Sequence, residues 1–466
     1  MLVHDGLAPP ARYRAIAVLI LAIGLSSLDG TIVNLALPAI ARDLQTSAAQ
    51  SVWVVNAYQI AILAVLLPLA NLGDRVGHRR IYLGGMTLFT AASACCMLAD
   101  SLPLLAAARA LQGAGAAGIM AVNLALVRLI YPSRMLGRGI AINSMVVATS
   151  SVAGPSVAAG ILSVASWPWL FALNLPLGVI VVWLGLRALP QDSAAKSSAA
   201  RLSWLDVLLN ALMFSLLFLG TDALGTGRPA TASSFIEGIA TLSAGLAIGV
   251  VYVRRQLTQP LPLFPLDLLR IPMFALSIAA SATAFAAQTL AYIALPFLML
   301  DGYGRSPLQA GALITAWPLA IFVVAPLAAR LIGRYPDGLL GGIGLATMAA
   351  GLALLAALPA HPDNADIVWR MALCGIGFGL FQSPNNHTMM TTAPPHRSGG
   401  AAGMLGTARL TGQSLGAMTM AIIFSFANAH DGRGPLIALA LAAGLAVVAG
   451  VFSTARVRHR PARKLS

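Results

Sequence analysis

Apolar stretches of about 20 residues recur along almost the whole chain, separated by short polar or charged clusters. That is the length a helix needs to cross about 30 Å of hydrocarbon. The pattern predicts spans at 14–41, 49–72, 80–100, 103–129, 138–163, 168–189, 205–224 and 235–253. The second half supplies 272–299, 308–332, 339–358, 367–391, 400–427 and 435–455. All fourteen are predicted helical, because an open sheet edge leaves backbone groups unsatisfied in lipid. Six spans precede the polar run Pro190-Gln191-Asp192-Ser193-Ala194-Ala195-Lys196-Ser197-Ser198. Two follow, then a Pro-rich stretch (Pro260, Pro262, Pro265), then six more. The expected organisation is an all-α integral membrane protein with an N-terminal six-helix bundle at 1–190. A linker at 191–270 adds two transmembrane helices, and 271–466 forms a C-terminal six-helix bundle with a basic tail.

Composition agrees with this pattern. The chain is 58% hydrophobic and 9% charged, against roughly 25% charged residues in soluble domains. A net charge of +14 suggests nucleic acid at first, but its distribution excludes that partner. With the N-terminus placed in the cytoplasm, 22 basic residues fall at inner ends and loops and four (Arg42, Arg228, Arg305, Arg433) at outer ones. That is the positive-inside bias of a multi-pass protein with both termini cytoplasmic. Cys95, Cys96 and Cys374 all lie within spans at no metal-ligand spacing, and are expected to be small core residues. The first apolar run is too long for a cleavable signal and carries an acid, so it is expected to remain as the first span.

That acid, Asp29, is the chain's most informative residue. It lies within Leu28-Asp29-Gly30-Thr31-Ile32-Val33-Asn34-Leu35-Ala36-Leu37-Pro38. A carboxylate in hydrocarbon costs about 2.5–3.5 kcal/mol or more, so it needs a partner, a proton or a wet cavity. Span four carries Arg109 and Gln112, three apart on one helix face. Arg109 lies about 9 Å into its span, at the level of Asp29, so the two can meet. A guanidinium beside a carboxylate favours its charged form until substrate or conformation separates them. A permanent structural ion pair is the alternative.

The loop Gly73-Asp74-Arg75-Val76-Gly77-His78-Arg79-Arg80 joins spans two and three. Its arginines serve as topology anchors, whereas Asp74 contributes little to orientation. Asp74 with Arg75, Gly77 and Arg79 is expected to form a cytoplasmic gate through charge-assisted hydrogen bonds. A weak echo, Ala329-Arg330-Leu331-Ile332-Gly333-Arg334, occupies the corresponding loop of the second half and suggests duplication. In span five, Ser150, Gly154 and Ala158 form a small-residue stripe, and Pro155 removes a backbone donor. This reads as a pivot or seal, or as an ordinary kink.

The second half has no acid deep in any span. It carries Gln288 and Tyr292 at spacing four, Gln382-Ser383-Pro384-Asn385-Asn386-His387, and Arg409 with Gln413. Asn34, Gln112, Gln288, Tyr292, Gln382, Asn385, Asn386 and Arg409 are the substrate-cavity candidates, since polar groups facing lipid are costly.

Over nearly its full length the chain resembles the major facilitator superfamily, and within it the fourteen-span drug:proton antiporters of multidrug efflux. Asp29 through Pro38 resembles that family's first-helix motif, and Gly73–Arg80 its inter-helix loop motif. Arg109-Ala110-Leu111-Gln112-Gly113 resembles the span-four motif linked to proton transfer, and Gly154-Pro155 the antiporter motif. Ser166-Trp167-Pro168-Trp169 through Asn174-Leu175-Pro176 is also similar. The resemblance implies the major facilitator fold, alternating access, and export of small organic compounds, drugs or antiseptics by proton antiport. Asp29 and Arg109 would carry proton coupling. No Gly-Lys-Ser/Thr nucleotide-binding run occurs, so neither nucleotide nor other cofactor is expected and a proton gradient supplies the energy. The expected partners are a small organic substrate, protons and the bilayer, with a monomeric chain. A proton-coupled importer of a small metabolite is the alternative on the same scaffold. A non-transporting sensor or enzyme would need a catalytic cluster, and all but one of seven histidines fall in loops or tails.

Overall fold

The computed structural model describes residues 6–191, 203–225, 232–258, 266–394, 397–427 and 432–458. Most of the polar run after Pro190, and all of Pro260, Pro262 and Pro265, lie outside these residues. Two compact units emerge, Met1–Thr221 with Phe235–Tyr252, and Asp222–Ser234 with Val253–Ser466. Most of the two-helix insertion therefore belongs to the first unit.

The first unit begins with α1 (Pro9–Ile32), a 3-10 turn over Val33–Ala36, and α2 (Leu37–Asp43). The turn has a local cause. Pro38 cannot donate to the Asn34 carbonyl, and the Leu37 N–H takes that carbonyl in a tighter ring instead. There follow α3 (Ala48–Ser51), α4 (Trp53–Val76), α5 (His78–Met97), α6 (Leu102–Ile130) and α7 (Leu136–Val164). Next come α8 (Pro168–Ala172), α9 (Asn174–Ala188), α10 (Trp204–Gly225) and α11 (Ala232–Leu257). Helix α6 packs against both α4 and α5, while α1 packs against α7 and α9. Asn210 of α10 donates 2.7 Å to the Ala64 carbonyl of α4. That carbonyl is the one Pro68 leaves without its helical donor, so the gap in the hydrogen bonding of α4 supplies the docking point for α10.

The second unit holds α12 (Pro272–Phe297), α13 (Pro307–Leu331), α14 (Asp337–Ala356), α15 (Asn364–Thr392), α16 (Ser398–Phe426) and α17 (Arg433–Arg458). Its packing repeats the first: α15 lies against α13 and α14, and α12 against α16 and α17. The repeat extends to single residues. Ser47 and Gln50 form a reciprocal capping box ahead of α4, and Ser306 and Gln309 form one at α13. Gly77 and Gly333, in corresponding loops, both have positive φ (111° and 84°), which explains glycine at each.

Helices occupy all fourteen segments expected to span, but ten are long and apolar enough to cross a membrane by length and composition. The segments at α5, α10, α15 and α16 fall short among the described residues, so a count of fourteen crossings is not shown. Two side chains depart from expectation. Cys95 is exposed rather than a core residue, α5 turning Cys96 inward in its place. Arg456, expected at an inner helix end, is 2% exposed within α17.

Candidate functional site

The centre of the first unit is ionic. Asp29 and Arg109 are each 1% exposed, and Arg109 Nη1 lies 2.6 Å from Asp29 Oδ2. The carboxylate also accepts from Gln112 Nε2 (3.0 Å) and Asn174 Nδ2 (2.7 Å), both at Oδ1. Gln112 faces both ways, its Oε1 taking Arg109 Nη1 at 2.5 Å and its Nε2 donating 2.8 Å to Ser93 Oγ. Arg109 Nε donates to the Val54 carbonyl at 3.0 Å, and its guanidinium carbon lies 4.2 Å from the centre of the Tyr58 ring. Helices α1, α4, α5, α6 and α9 thus converge on one buried ion pair with its dipoles satisfied, the condition under which such a pair is tolerated. Sequence reasoning singled out Asp29, Arg109 and Gln112 but missed Ser93, Asn174 and Tyr58. The only available signal for Asn174 was its place in the Asn174-Leu175-Pro176 run.

Three further groups of candidates lie elsewhere in the first unit. In the α4–α5 loop, Asp74 pairs with His78, Nε2 to Oδ1 at 3.7 Å, and its side chain is exposed. Arg79 reaches the Leu186 carbonyl near the end of α9, and Arg75 lies in the last turn of α4. At the α1–α7 crossing, a Cβ on Gly154 would come 2.1 Å from Thr31 Oγ1. Ser150 faces Gly24 and Ala158 is buried, so the small-residue stripe faces α1, with Pro155 beside it. Asn34, in the 3-10 turn, has an amide oxygen that is buried without a partner.

The second unit distributes its polar groups differently. Asn385 Oδ1 accepts from Arg456 Nη1 at 2.8 Å, and Ser277 Oγ from the same nitrogen at 3.0 Å. Ser453 Oγ takes Arg456 Nη2 at 2.5 Å, so a buried guanidinium is held by neutral groups from α12, α15 and α17. Asn385 and Gln112 are therefore engaged with internal partners. His387 Nδ1 and Thr388 Oγ1 bind Asp337 Oδ2 at 2.7 and 3.0 Å. Gln382, Asn386 and Arg409 are half-buried on α15 and α16. Gln288 reaches the Tyr292 hydroxyl, and the Tyr292 ring meets Trp317 edge-on with centroids 4.9 Å apart.

The family model described as Major Facilitator Superfamily matches residues 19–417 and again 277–465. The chain belongs to the major facilitator superfamily. It is 50% identical over 459 residues, 98% of each chain, to a protein of Escherichia coli (strain K12) named as the uncharacterized transporter YebQ. It is 30% identical to the riboflavin transporter RibZ of Clostridioides difficile (strain 630), over 89% of each chain. It is 31% identical to the multidrug resistance protein Stp of Mycobacterium tuberculosis (strain CDC 1551 / Oshkosh), covering 84% of this chain and 71% of Stp. Among solved structures, the fold resembles an inward-facing, unoccupied bacterial homologue of the human lysosomal transporter Spinster. The TM-score is 0.67 at 16% identity, over 97% of this chain and 98% of that one. An auto-inhibited peptide transporter of the POT family gives 0.69 at 15% identity, over the same shares. This major facilitator chain is a multi-pass membrane transporter, from a family of transporters rather than enzymes.

Proposed function

We propose that this transporter exports small organic compounds in exchange for protons through fourteen helical crossings, in a bacterial inner membrane with both termini cytoplasmic. The observation that carries the reading is the buried Asp29 carboxylate, set against Arg109 where α1, α6 and α9 converge. A carboxylate in that place exchanges a proton for its guanidinium and amide partners, which is the chemistry a proton-driven cycle needs. The close α1–α7 crossing at Gly154, beside Pro155, supports the antiporter reading, as do relatives named for multidrug resistance. In this scheme Asp74, Arg75, Gly77 and Arg79 gate the cytoplasmic side. Asn34, Gln288, Tyr292, Gln382, Asn386 and Arg409 contribute to substrate contacts. No cofactor is required, and the chain works as a monomer.

The relative named as a riboflavin transporter favours a second reading, a proton-coupled carrier of a metabolite on the same scaffold. Proteoliposomes holding a pH-sensitive dye separate the two. A substrate that drives protons in the opposite sense to its own movement supports antiport, and movement in the same sense supports symport. A compound panel that accumulates with no proton flux overturns proton coupling altogether.

A further inference from the structure

The two units share a register that shows what became of the ionic centre in the second copy. In α6, a Cβ on Gly113 would lie 2.3 Å from the Tyr58 carbonyl, and one on Gly115 would meet the Gly85 carbonyl and the Phe89 nitrogen. In α15, a Cβ on Gly375 would lie 2.2 Å from the Trp317 carbonyl, and one on Gly377 would meet the Gly344 carbonyl and the Met348 nitrogen. Tyr58 and Trp317, Gly85 and Gly344, and Phe89 and Met348 are each separated by 259 positions. So are the capping serines Ser47 and Ser306. The glycine pairs of α6 and α15 are separated by 262 positions. This register sets Trp317 in the place of Tyr58, Met371 in that of Arg109, and Cys374 in that of Gln112. The same offset of 259 sets Gln288 in the place of Asp29, so the ion pair's site in one copy is uncharged in the other, with an amide, an aromatic ring, a thioether and a thiol.

The polar atoms of this uncharged site are not all satisfied. Trp317 is 0% exposed, yet its indole nitrogen has no hydrogen-bond partner. An indole N–H buried in this way forgoes the bond that buried tryptophans normally make. Its nearest aromatic neighbour is Tyr292, which Gln288 holds from one turn away on α12. On the same α12 face, Ser281 is also buried with its hydroxyl oxygen unpartnered. Trp317 and Met371 are fully buried and Tyr292 only partly, so a flat aromatic ligand reaches them in a more open state of the unit, through ring–ring and sulfur–ring contacts. It satisfies the site only if it also brings an acceptor.

We propose that the second unit contains a substrate subsite centred on Trp317 and Tyr292, in which the Trp317 indole N–H donates to a carbonyl-type acceptor on a planar aromatic compound. The proposal rests on the transport reading and names its substrate class. Donation to the ligand replaces an orphaned donor with a buried hydrogen bond, worth roughly tenfold in affinity over a ligand of the same shape without the acceptor. Tyr292 supplies the stacking face, and Met371 adapts to the ring's outline.

The test measures binding to the purified full chain, using fluorenone-2-carboxylate and fluorene-2-carboxylate as probes. They share shape and charge and differ in the ring carbonyl. The wild type is expected to bind the ketone about tenfold more tightly, and Trp317→Phe, which keeps a ring but lacks the N–H, to bind both with the weaker affinity. If the Phe variant does not fold, a benzothiophene isostere of tryptophan at 317 removes the same N–H with the ring shape kept. Equal wild-type affinities, no binding of either probe, or a ketone preference that survives removal of the N–H overturns the proposal. Because the readout is binding, its outcome does not depend on what Asp29 variants do to proton-coupled transport, so the two readings fail separately.

Discussion

Asp29→Asn tests the ionic centre most directly, and the geometry predicts more than loss of a proton carrier. The carboxylate accepts on both oxygens, from Arg109 at Oδ2 and from Gln112 and Asn174 at Oδ1. An asparagine has one acceptor and one donor, so it cannot serve both sides. With its nitrogen at the Oδ2 position it faces the Arg109 guanidinium, donor against donor. Turned over, the nitrogen faces the Gln112 and Asn174 amides, and Gln112 cannot reverse without withdrawing its own oxygen from Arg109. Arg109 is also left as a buried charge without its counter-charge, a loss of about 3–5 kcal/mol when one partner of a buried pair is removed. The variant should therefore lose substrate-driven proton flux and melt at a lower temperature. Adding Arg109→Gln removes the stranded charge, and the double variant should regain most of the stability, to within about 1–2 kcal/mol of wild type. It should not regain transport. Thermal unfolding in detergent and dye-loaded proteoliposomes measure the two quantities on the same preparations. Concentrative efflux by Asp29→Asn at the wild-type rate would remove Asp29 from coupling. A double variant no more stable than the single one would refute the account of the stranded charge.

Asp74→Asn removes the partner of His78 in an exposed loop, so turnover should fall several-fold while substrate affinity changes little. Lost affinity with intact turnover would count against a gating role. Gly154→Ala places a methyl 2.1 Å from Thr31 Oγ1, an overpacking cost of about 1–3 kcal/mol. Thr31→Ser, which deletes only a methyl, should leave the clash in place, whereas Thr31→Gly in the Gly154→Ala background should recover the melting temperature. Arg397 hydrogen-bonds the Asp267 carboxylate just before α12 and holds its pKa below the usual 3.8. The pair's stabilisation is therefore present above that value and lost as pH falls through the lowered one. Asp267→Asn should melt below wild type at pH 7, and the two should converge in strong acid; a constant gap across the range would deny the linkage.

Much of the fold was legible because lipid permits few solutions. A run such as Leu339–Leu355 must be helical to cross a membrane, and nothing in its pattern competes with that outcome. Two of the segments that fall short, α5 and α15, do so for a physical reason. Helix α15 carries Gln382, Asn385, Asn386 and His387, and α5 begins with His78, Arg79 and Arg80. Their polar groups are tolerable through contacts that pattern reading does not see. In the site, Asp29 and Arg109 stand out because charge is rare inside apolar runs, and Gln112 follows from its spacing on the same face. Ser93 and Asn174 carry no comparable signal. Small polar residues are common in membrane helices, and only the convergence of α5 and α9 on α1 turns these two into ligands of the carboxylate and its Gln112 partner. Arg456 shows the opposite error. Followed closely by Arg458 near the chain's end, it looks like a topology anchor, yet Ser277 and Asn385 arrive from distant helices and enclose it.

The duplicated register explains why the two copies could diverge so far in chemistry. The constraint they share is on backbone contact: Gly113 against Tyr58 and Gly375 against Trp317 let helices approach until any Cβ would collide. A crossing that close is unforgiving of side-chain bulk at the glycine but indifferent to what the neighbouring helix faces carry. A buried ion pair, by contrast, is costly unless every remaining donor and acceptor is met. Meeting them at Asp29 and Arg109 requires Gln112, Ser93, Asn174 and the Val54 carbonyl together. Where Gln288, Met371 and Cys374 replace Asp29, Arg109 and Gln112, no part of that network has a charge to support, and an uncharged site is the stable alternative. The charged site and the uncharged one are then two side-chain solutions to the same crossing.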